Sequence, residues 1–239
     1  RAVDAVDGID RIRFTSPHPK DLRAETIAAM AECEHVCPHL HLPLQSGSDR
    51  VLARMHRGYT AARYLERLAA ARAAIPDLAV TTDIIVGFPG ETEADFEATL
   101  DVAREAAYDS AYTFIFSARP GTEAAALTDE FVDPEACRAR MDRLVAVVEA
   151  SAGRTHEARV GRVERVLVDG PSKKDERVWA GRTPHNKLTH FAVTEGVVAG
   201  DDVDVEITRA APHWLQGDVV ATHPRVRRPA RTRIPVTVV

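Results

Sequence analysis

Three polar residues stand where an α/β chain would present them to a ligand. Gln45 ends the stretch HLHLPLQ, Arg57 follows SDRVLARM, and Asp83 interrupts the apolar run LAVTTDIIVGF. An aspartate at a strand end accepts hydrogen bonds from a ribose or an amine. An arginine binds a carboxylate through two parallel bonds. The strand carrying Asp83 closes in Gly87-Phe88-Pro89-Gly90 and runs on into Glu91 and Thr92. A phosphate loop would follow its last glycine with Lys and Ser or Thr. Carboxylates beside this turn would repel phosphate, so a nucleoside triphosphate is not expected and a neutral or cationic ligand fits better. Taken alone, the turn is an ordinary tight turn and Arg57 a surface arginine. Together the three residues would meet at the carboxyl ends of parallel strands, where such folds hold their ligands.

The elements that must position them alternate between strand and helix. Strands are read at 11–16, 39–45, 78–88 and 110–117. Helices are read at 21–33, 48–55, 60–75 and 92–107, with Ser48, Thr60 and Thr92 as N-caps. Alternation of this kind implies a parallel sheet with right-handed crossovers. Several strands carry two unlike faces. In HLHLPLQ, His39, His41 and Gln45 oppose Leu40, Leu42 and Leu44, and in TTDIIVGF, Asp83 and Ile85 oppose Ile84 and Val86. The apolar faces pack on helices. The polar faces must line a lumen or a polar ligand, because unpaired polar groups are costly to bury.

A long helix is read from Pro134 to about residue 158, with Cys137, Met141, Leu144, Val145 and Val148 as its apolar stripe. Beyond it the pattern changes to five short strands at 163–170, 177–183, 187–194, 202–210 and 214–220. That spacing, with no helix between, predicts a small antiparallel, OB-like barrel. The division into parts is read as 1–154, 155–221 and an Arg/Pro-rich tail, 222–239, expected to be disordered.

The chain has 239 residues and a formal net charge of -5, and its composition is that of a globular protein. No apolar run is long enough to cross a bilayer, so no membrane partner is expected. The chain opens RAVDAVDGID, with neither Met nor a signal-like start, and is read as part of something longer. Its cysteines, Cys33, Cys37 and Cys137, are odd in number, which points to a reducing cytoplasm. The Cys33-x3-Cys37 pair falls short of the four ligands of a structural metal site, and all three are read as core or helix-end thiols.

HLPLQSGSDRVLARMHRGYT, TTDIIVGFPGETEADF and AYTFIFSARPGT, in this order, resemble the radical S-adenosylmethionine core of the methylthiotransferase family. RIRFTSPHP upstream is also similar to it, and GPSKKD and GRTPHNKLTHF resemble the TRAM module that closes those enzymes. The resemblance implies the later strands of a partial (β/α) barrel followed by an RNA-binding β-barrel. It implies modification of tRNA: methylthiolation of N6-isopentenyladenosine beside the anticodon, using S-adenosylmethionine and 4Fe-4S clusters. Threonylcarbamoyladenosine in tRNA, a ribosomal protein, or a non-catalytic RNA-binding role are the alternatives. By position, Gln45, Arg57 and Asp83 would contact S-adenosylmethionine, and the backbone from Ile85 to Gly87 would lie against its adenosine. The family's C-x3-C-x2-C motif is not supplied, since position 40 is Leu40, so the cluster ligands are expected upstream of residue 1. In the TRAM part, Lys173, Lys174, Arg177, Arg182 and Lys187 are candidates for a basic RNA-binding patch, with Trp179 and Phe191 near enough in sequence to stack on bases or to fill the barrel core.

Overall fold

A computed structural model of the chain describes residues 1–13, 15–172 and 175–225. Three parallel strands, β1 (His39–His41), β2 (Ala79–Val86) and β3 (Ser110–Ile115), form a sheet in the order β1-β2-β3. Helix α1 (Ala24–Glu32) precedes β1, α2 (Asp49–Arg54) and α3 (Ala61–Ala74) lie between β1 and β2, and α4 (Glu93–Ala106) lies between β2 and β3. A short α5 (Glu123–Ala126) and the long α6 (Pro134–Glu157) follow β3. Ser48, Thr60 and Thr92 each accept a backbone N–H as N-caps, and Thr92 and Asp95 form a capping box. Leu40, Leu42, Leu44, Ile84 and Val86 turn inward with Tyr64, Leu68, Phe96, Leu100 and Leu144, so one sheet face makes the core.

Two strands depart from the sequence reading. HLHLPLQ pairs as a ladder only to His41, because Pro43 has no N–H to donate. The Thr82 hydroxyl bridges the gap, accepting from the Leu44 N–H and donating to the Leu42 carbonyl, both at 2.9 Å. Tyr64 donates to the Leu42 carbonyl at 2.8 Å, and Tyr59 to the Leu44 carbonyl at 2.9 Å. The chain rejoins the sheet at Gln45, whose N–H reaches the Asp83 carbonyl at 2.8 Å. RIRFTS does not form the predicted strand of residues 11–16. It makes one isolated bridge, Ile12 to Val36, and Phe14 lies outside the described residues. Arg11 and Arg13 reach away from the sheet to bond the second part of the molecule.

That second part is a closed barrel of β4 (Val163–Pro171), β5 (Val178–Arg182), β6 (Leu188–Ala192), β7 (Asp202–Ala211) and β8 (Trp214–His223), ordered β4-β5-β6-β8-β7. Val166, Val168, Phe191, Val203, Val205, Ile207 and Leu215 fill it. Strand β8 runs past the predicted start of the tail, and Arg225 bonds Asp10 and Asp202. Residues 226–239, the rest of the predicted tail, lie outside the described residues. Among the described residues, no helix is long and apolar enough to cross a membrane.

Charged groups join barrel to sheet. Arg11 bonds the Arg182 carbonyl at 2.8 Å and Asp202 at 2.9 Å, and Arg13 bonds the Thr183 carbonyl at 2.5 Å. Arg159 at the end of α6 pairs with Asp77 at 2.8 Å and Glu164 at 2.9 Å. Lys187 pairs with Asp109 at 2.5 Å, with 3% and 7% of each residue exposed. Burial alone would raise the Asp109 carboxyl. The Lys187 ammonium and the Val80 N–H outweigh it and hold the group below its usual range. Removing one partner strands a buried charge, so Lys187→Ala is expected to cost about 3–5 kcal/mol. The Lys187→Ala, Asp109→Ala pair should cost less than the sum of the two single changes, as read by urea unfolding.

Candidate functional site

A cavity of about 710 Å³ opens at the carboxyl ends of β2 and β3. Four of the five sequence-predicted cofactor residues line it together: Gln45, Arg57, Asp83 and Ile85. Gln45 is 7% exposed and sits at a φ of 65°, a left-handed conformation costly for a residue with a Cβ. Its backbone bonds to Asp83 and Ile85 hold it there. Arg57 is half-buried, and its guanidinium has no hydrogen bond or ion pair among the described residues. Asp83 is also half-buried, with Oδ2 3.4 Å from Nε2 of His41. Arg57 and Asp83 therefore face the cavity with hydrogen-bonding capacity to spare.

Gly87, the fifth, is not in the cavity wall. A Cβ added to it would lie 2.4 Å from Sγ of Cys137 on α6, and its φ is 77°. The position is needed for close packing under the turn. Glu91 also differs from expectation. Its side chain is 1% exposed and folds back to accept the Gly87 N–H at 2.8 Å and to pair with Arg140 at 2.9 Å. Burial raises its carboxyl above the usual range, against the pull of Gly87 and Arg140. Glu93 pairs with Arg143 at 2.5 Å and Arg140 at 3.1 Å. The acidic turn is thus matched by arginines of α6, and Glu91 does not confront the ligand.

The two turns that rim the cavity are locked to each other by Asp95. Its carboxylate accepts from Ser48 and the Thr92 hydroxyl, both at 2.6 Å, from the Thr92 N–H at 2.9 Å, and from Arg50. Arg50 also donates to the Gly90 carbonyl at 2.6 Å. The Gly47 N–H donates to Thr99 on α4 at 2.9 Å, and a Cβ on Gly47 would fall 2.5 Å from the Ala98 carbonyl oxygen. Burial would raise the Asp95 carboxyl, but the Arg50, Ser48 and Thr92 hydrogen bonds hold it far below the usual carboxylate range.

Phe114, Phe116, Arg54 and Arg119 also line the cavity and were not foreseen from the sequence. For the two phenylalanines the signal was the alternation in TFIFS, which places both on one strand face. A second cavity, of about 510 Å³, lies between the polar sheet face and the barrel. Asp83 and Phe114 belong to both linings, and His39, His41, Thr81, Arg182, His185 and Lys187 line the second.

Among the described residues, Arg177, Arg182 and Lys187 of the predicted basic patch do not share one surface. Arg177 is exposed and paired with Asp175 at 3.1 Å, and Arg182 is exposed and donates to the Asn186 carbonyl at 3.0 Å. Lys187 is interior, paired with Asp109, because the interface needs a cation there. Lys173 and Lys174 lie outside the described residues. Phe191 belongs to the barrel core and Trp179 packs against it.

Iron–sulfur clusters are held by cysteine thiolates. Cys33, Cys37 and Cys137 are all free thiols, and Cys137 is taken up against Gly87. Among the described residues no group of three or more His, Cys, Asp or Glu is arranged to hold a metal ion. These residues do not fit such a cluster.

A parallel α/β sheet with a cavity at its strand ends, bonded to a closed five-stranded barrel, is an α/β fold joined to an OB-like module. Residues 1–103 match the Radical SAM superfamily and residues 157–220 match the TRAM domain. The chain is 52% identical over 230 residues to the tRNA-2-methylthio-N(6)-dimethylallyladenosine synthase of Acidothermus cellulolyticus, covering 95% of this chain and 46% of that one. It is 50% identical to the synthase of the same name from Salinispora arenicola, over 91% of this chain and 44% of the other, and 51% identical to that of a Nocardioides species, over 91% and 45%. The chain is thus similar to these synthases over most of its own length and spans about half the length of these curated relatives. Its fold is similar to that of coproporphyrinogen III oxidase from Escherichia coli, a radical SAM enzyme, with a TM-score of 0.50 at 14% identity over 72% of this chain and 46% of that one.

Two outcomes follow from the turn geometry. Gly87→Ala is expected to destabilise the fold by about 2–4 kcal/mol through the clash and the left-handed strain. Adding Cys137→Ala should recover the clash but not the strain, as measured by thermal unfolding. Asp95→Asn should cost about 2–3 kcal/mol at pH 7. The folded-state carboxyl is lowered, so its contribution is complete above the unfolded pKa of about 3.9 and fades below it. The difference between Asp95→Asn and the unsubstituted protein should therefore shrink on acidification below about pH 4, as read by urea midpoints across pH.

Proposed function

We propose that the 710 Å³ cavity binds S-adenosylmethionine and that the protein carrying this chain methylthiolates N6-isopentenyladenosine beside the anticodon of tRNA. The observation that carries the reading is the convergence of Gln45, Arg57, Asp83 and Ile85 on one cavity. Its volume falls within the usual range for a small-molecule site, about 300–1,000 Å³. The name shared by the relatives, a tRNA-2-methylthio-N(6)-dimethylallyladenosine synthase, supports the substrate class. The TRAM match supports RNA as the partner of the part from about residue 155 onward.

The unpaired Arg57 guanidinium binds the cofactor's carboxylate, a charge-assisted contact suited to its two-pronged donor geometry. Asp83 accepts from the ribose hydroxyls or the amino group. Gln45 supplies a neutral donor and acceptor beside them. Ile85, Phe114 and Phe116 give the apolar wall that excludes water from the adenosine. When bound, S-adenosylmethionine supplies the radical chemistry of the family. The 4Fe-4S clusters that the family uses are assigned to no residue of this chain.

Isothermal titration of the polypeptide with S-adenosylmethionine tests the site. Arg57→Ala and Asp83→Ala are each expected to weaken binding by about tenfold or more, the loss of a hydrogen bond to a charged group. Affinity unchanged in both variants would overturn the assignment. For the partner, tRNA binding is expected to weaken as salt is raised, and binding insensitive to salt would remove phosphate contacts from the reading. Mass spectrometry of tRNA from a deletion strain should show loss of 2-methylthio-isopentenyladenosine. Loss of the threonylcarbamoyl-linked product would name the other tRNA target.

A further inference from the structure

The stretch HLHLPLQ places His39 and His41 on the polar face of the sheet, and the cofactor reading gives neither a task. Both are buried, 7% and 8% exposed. Parallel pairing sets His41 beside Thr81, and Asp83 is two residues further along β2. The Thr81 hydroxyl lies 3.2 Å from Nε2 of His39 and 2.9 Å from Nδ1 of His41, and Nε2 of His41 lies 3.4 Å from Oδ2 of Asp83. The Tyr112 ring meets His41 edge-on at 6.1 Å. Burial, with Arg13 and His41 nearby, pushes His39 down to about 4, so this ring is neutral at physiological pH.

The direction of the hydrogen bonds follows from the proton count. A threonine hydroxyl has one proton to donate. If Thr81 donated to His39, a singly protonated His41 would give its Nδ1 proton to Thr81 and turn a bare Nε2 lone pair toward the Asp83 carboxylate, which is repulsive. The opposite arrangement satisfies every group. His39 Nε2–H donates to Thr81, Thr81 donates to His41 Nδ1, and His41 presents Nε2–H to Asp83. We propose that His41 is a positioning residue, its tautomer set by Thr81 and His39, that fixes the Asp83 carboxylate where the two cavities meet. This rests on the reading of the larger cavity as the S-adenosylmethionine site. Asp83 has no other side-chain partner among the described residues, so without His41 nothing would fix its carboxylate at the boundary of the two cavities, both of which it lines.

Two measurements test this. Long-range 15N–1H correlation on the labelled polypeptide at pH 8, above the ordinary imidazole pKa of about 6.5, reads the tautomers directly. His41 is expected as Nε2–H. Thr81→Val should shift it toward a mixture, and Thr81→Ser should restore it. A proton on Nδ1 of His41 in the unsubstituted protein overturns the proposal regardless of any ligand. The second measurement is a double-mutant cycle on S-adenosylmethionine affinity. His41→Ala should weaken binding about fivefold, and the near-isosteric Thr81→Val about twofold, within the range of coupling between neighbours. In an Asp83→Ala background neither should have a further effect. Full additivity would mean that His41 acts through general folding, and the proposal falls. Absence of binding by the unsubstituted protein would overturn the cofactor reading, and with it the ligand half of this inference, while the tautomers still decide whether the chain exists.

Discussion

The Asp95 carboxylate is the joint on which the cavity depends. The turns before α2 and before α4 are far apart in the chain, and each alone would be an ordinary surface turn. Asp95 accepts from Ser48 and Arg50 on one and from Thr92 on the other, while Arg50 reaches Gly90. The carboxylate gives up water but meets charge-assisted donors in return, so the pairing overcomes the cost of burial. Gly47 then lets the first turn lie in backbone contact with α4. One capping residue thereby also ties the turn that follows Gln45 to the turn that follows β2.

Polar groups do similar work inside the sheet. Pro43 breaks the ladder, and Thr82, Tyr59 and Tyr64 return the hydrogen bonds that the backbone lost. Burial raises the Tyr59 hydroxyl to about 12 and the Tyr64 hydroxyl above its usual range, so both stay protonated as donors. The break frees Gln45 from the regular alternation and turns it into the cavity. The cost is a left-handed backbone, repaid by its bonds to β2. An irregular strand end held by side-chain hydroxyls is what separates the ligand-facing rim from the sheet below it.

Barrel and sheet are joined through ions more than through apolar contact. Arg11, Arg159 and Lys187 each meet an acidic partner across or beside the interface. Such pairs carry strict geometry, so they fix the barrel's orientation over the polar sheet face. They also consume cations that composition alone would offer to RNA. Lys187 belongs to the interface, and Arg177 is matched by a neighbouring aspartate.

The order of elements, the caps, the change from parallel sheet to small barrel and two polar strand ends, Gln45 and Asp83, with Arg57 in the neighbouring loop, were legible in the sequence, because each rests on local periodicity or on a residue's own chemistry. RIRFTS misled because its alternation reads as a strand, while its arginines bond a barrel more than 150 residues away. Gly87 was placed against the adenosine by the family resemblance; the neighbour that approaches it, Cys137 on α6, is not written in the turn. Glu91 looked like an exposed carboxylate for the same reason, its partner Arg140 being 49 residues off. The sequence by itself determined which segments cap and alternate, and which polar residues stand near the strand ends. Only the tertiary structure decided which charges are spent on each other and which remain free for a ligand, because electrostatic pairing depends on distance in space and on burial, neither of which local sequence encodes.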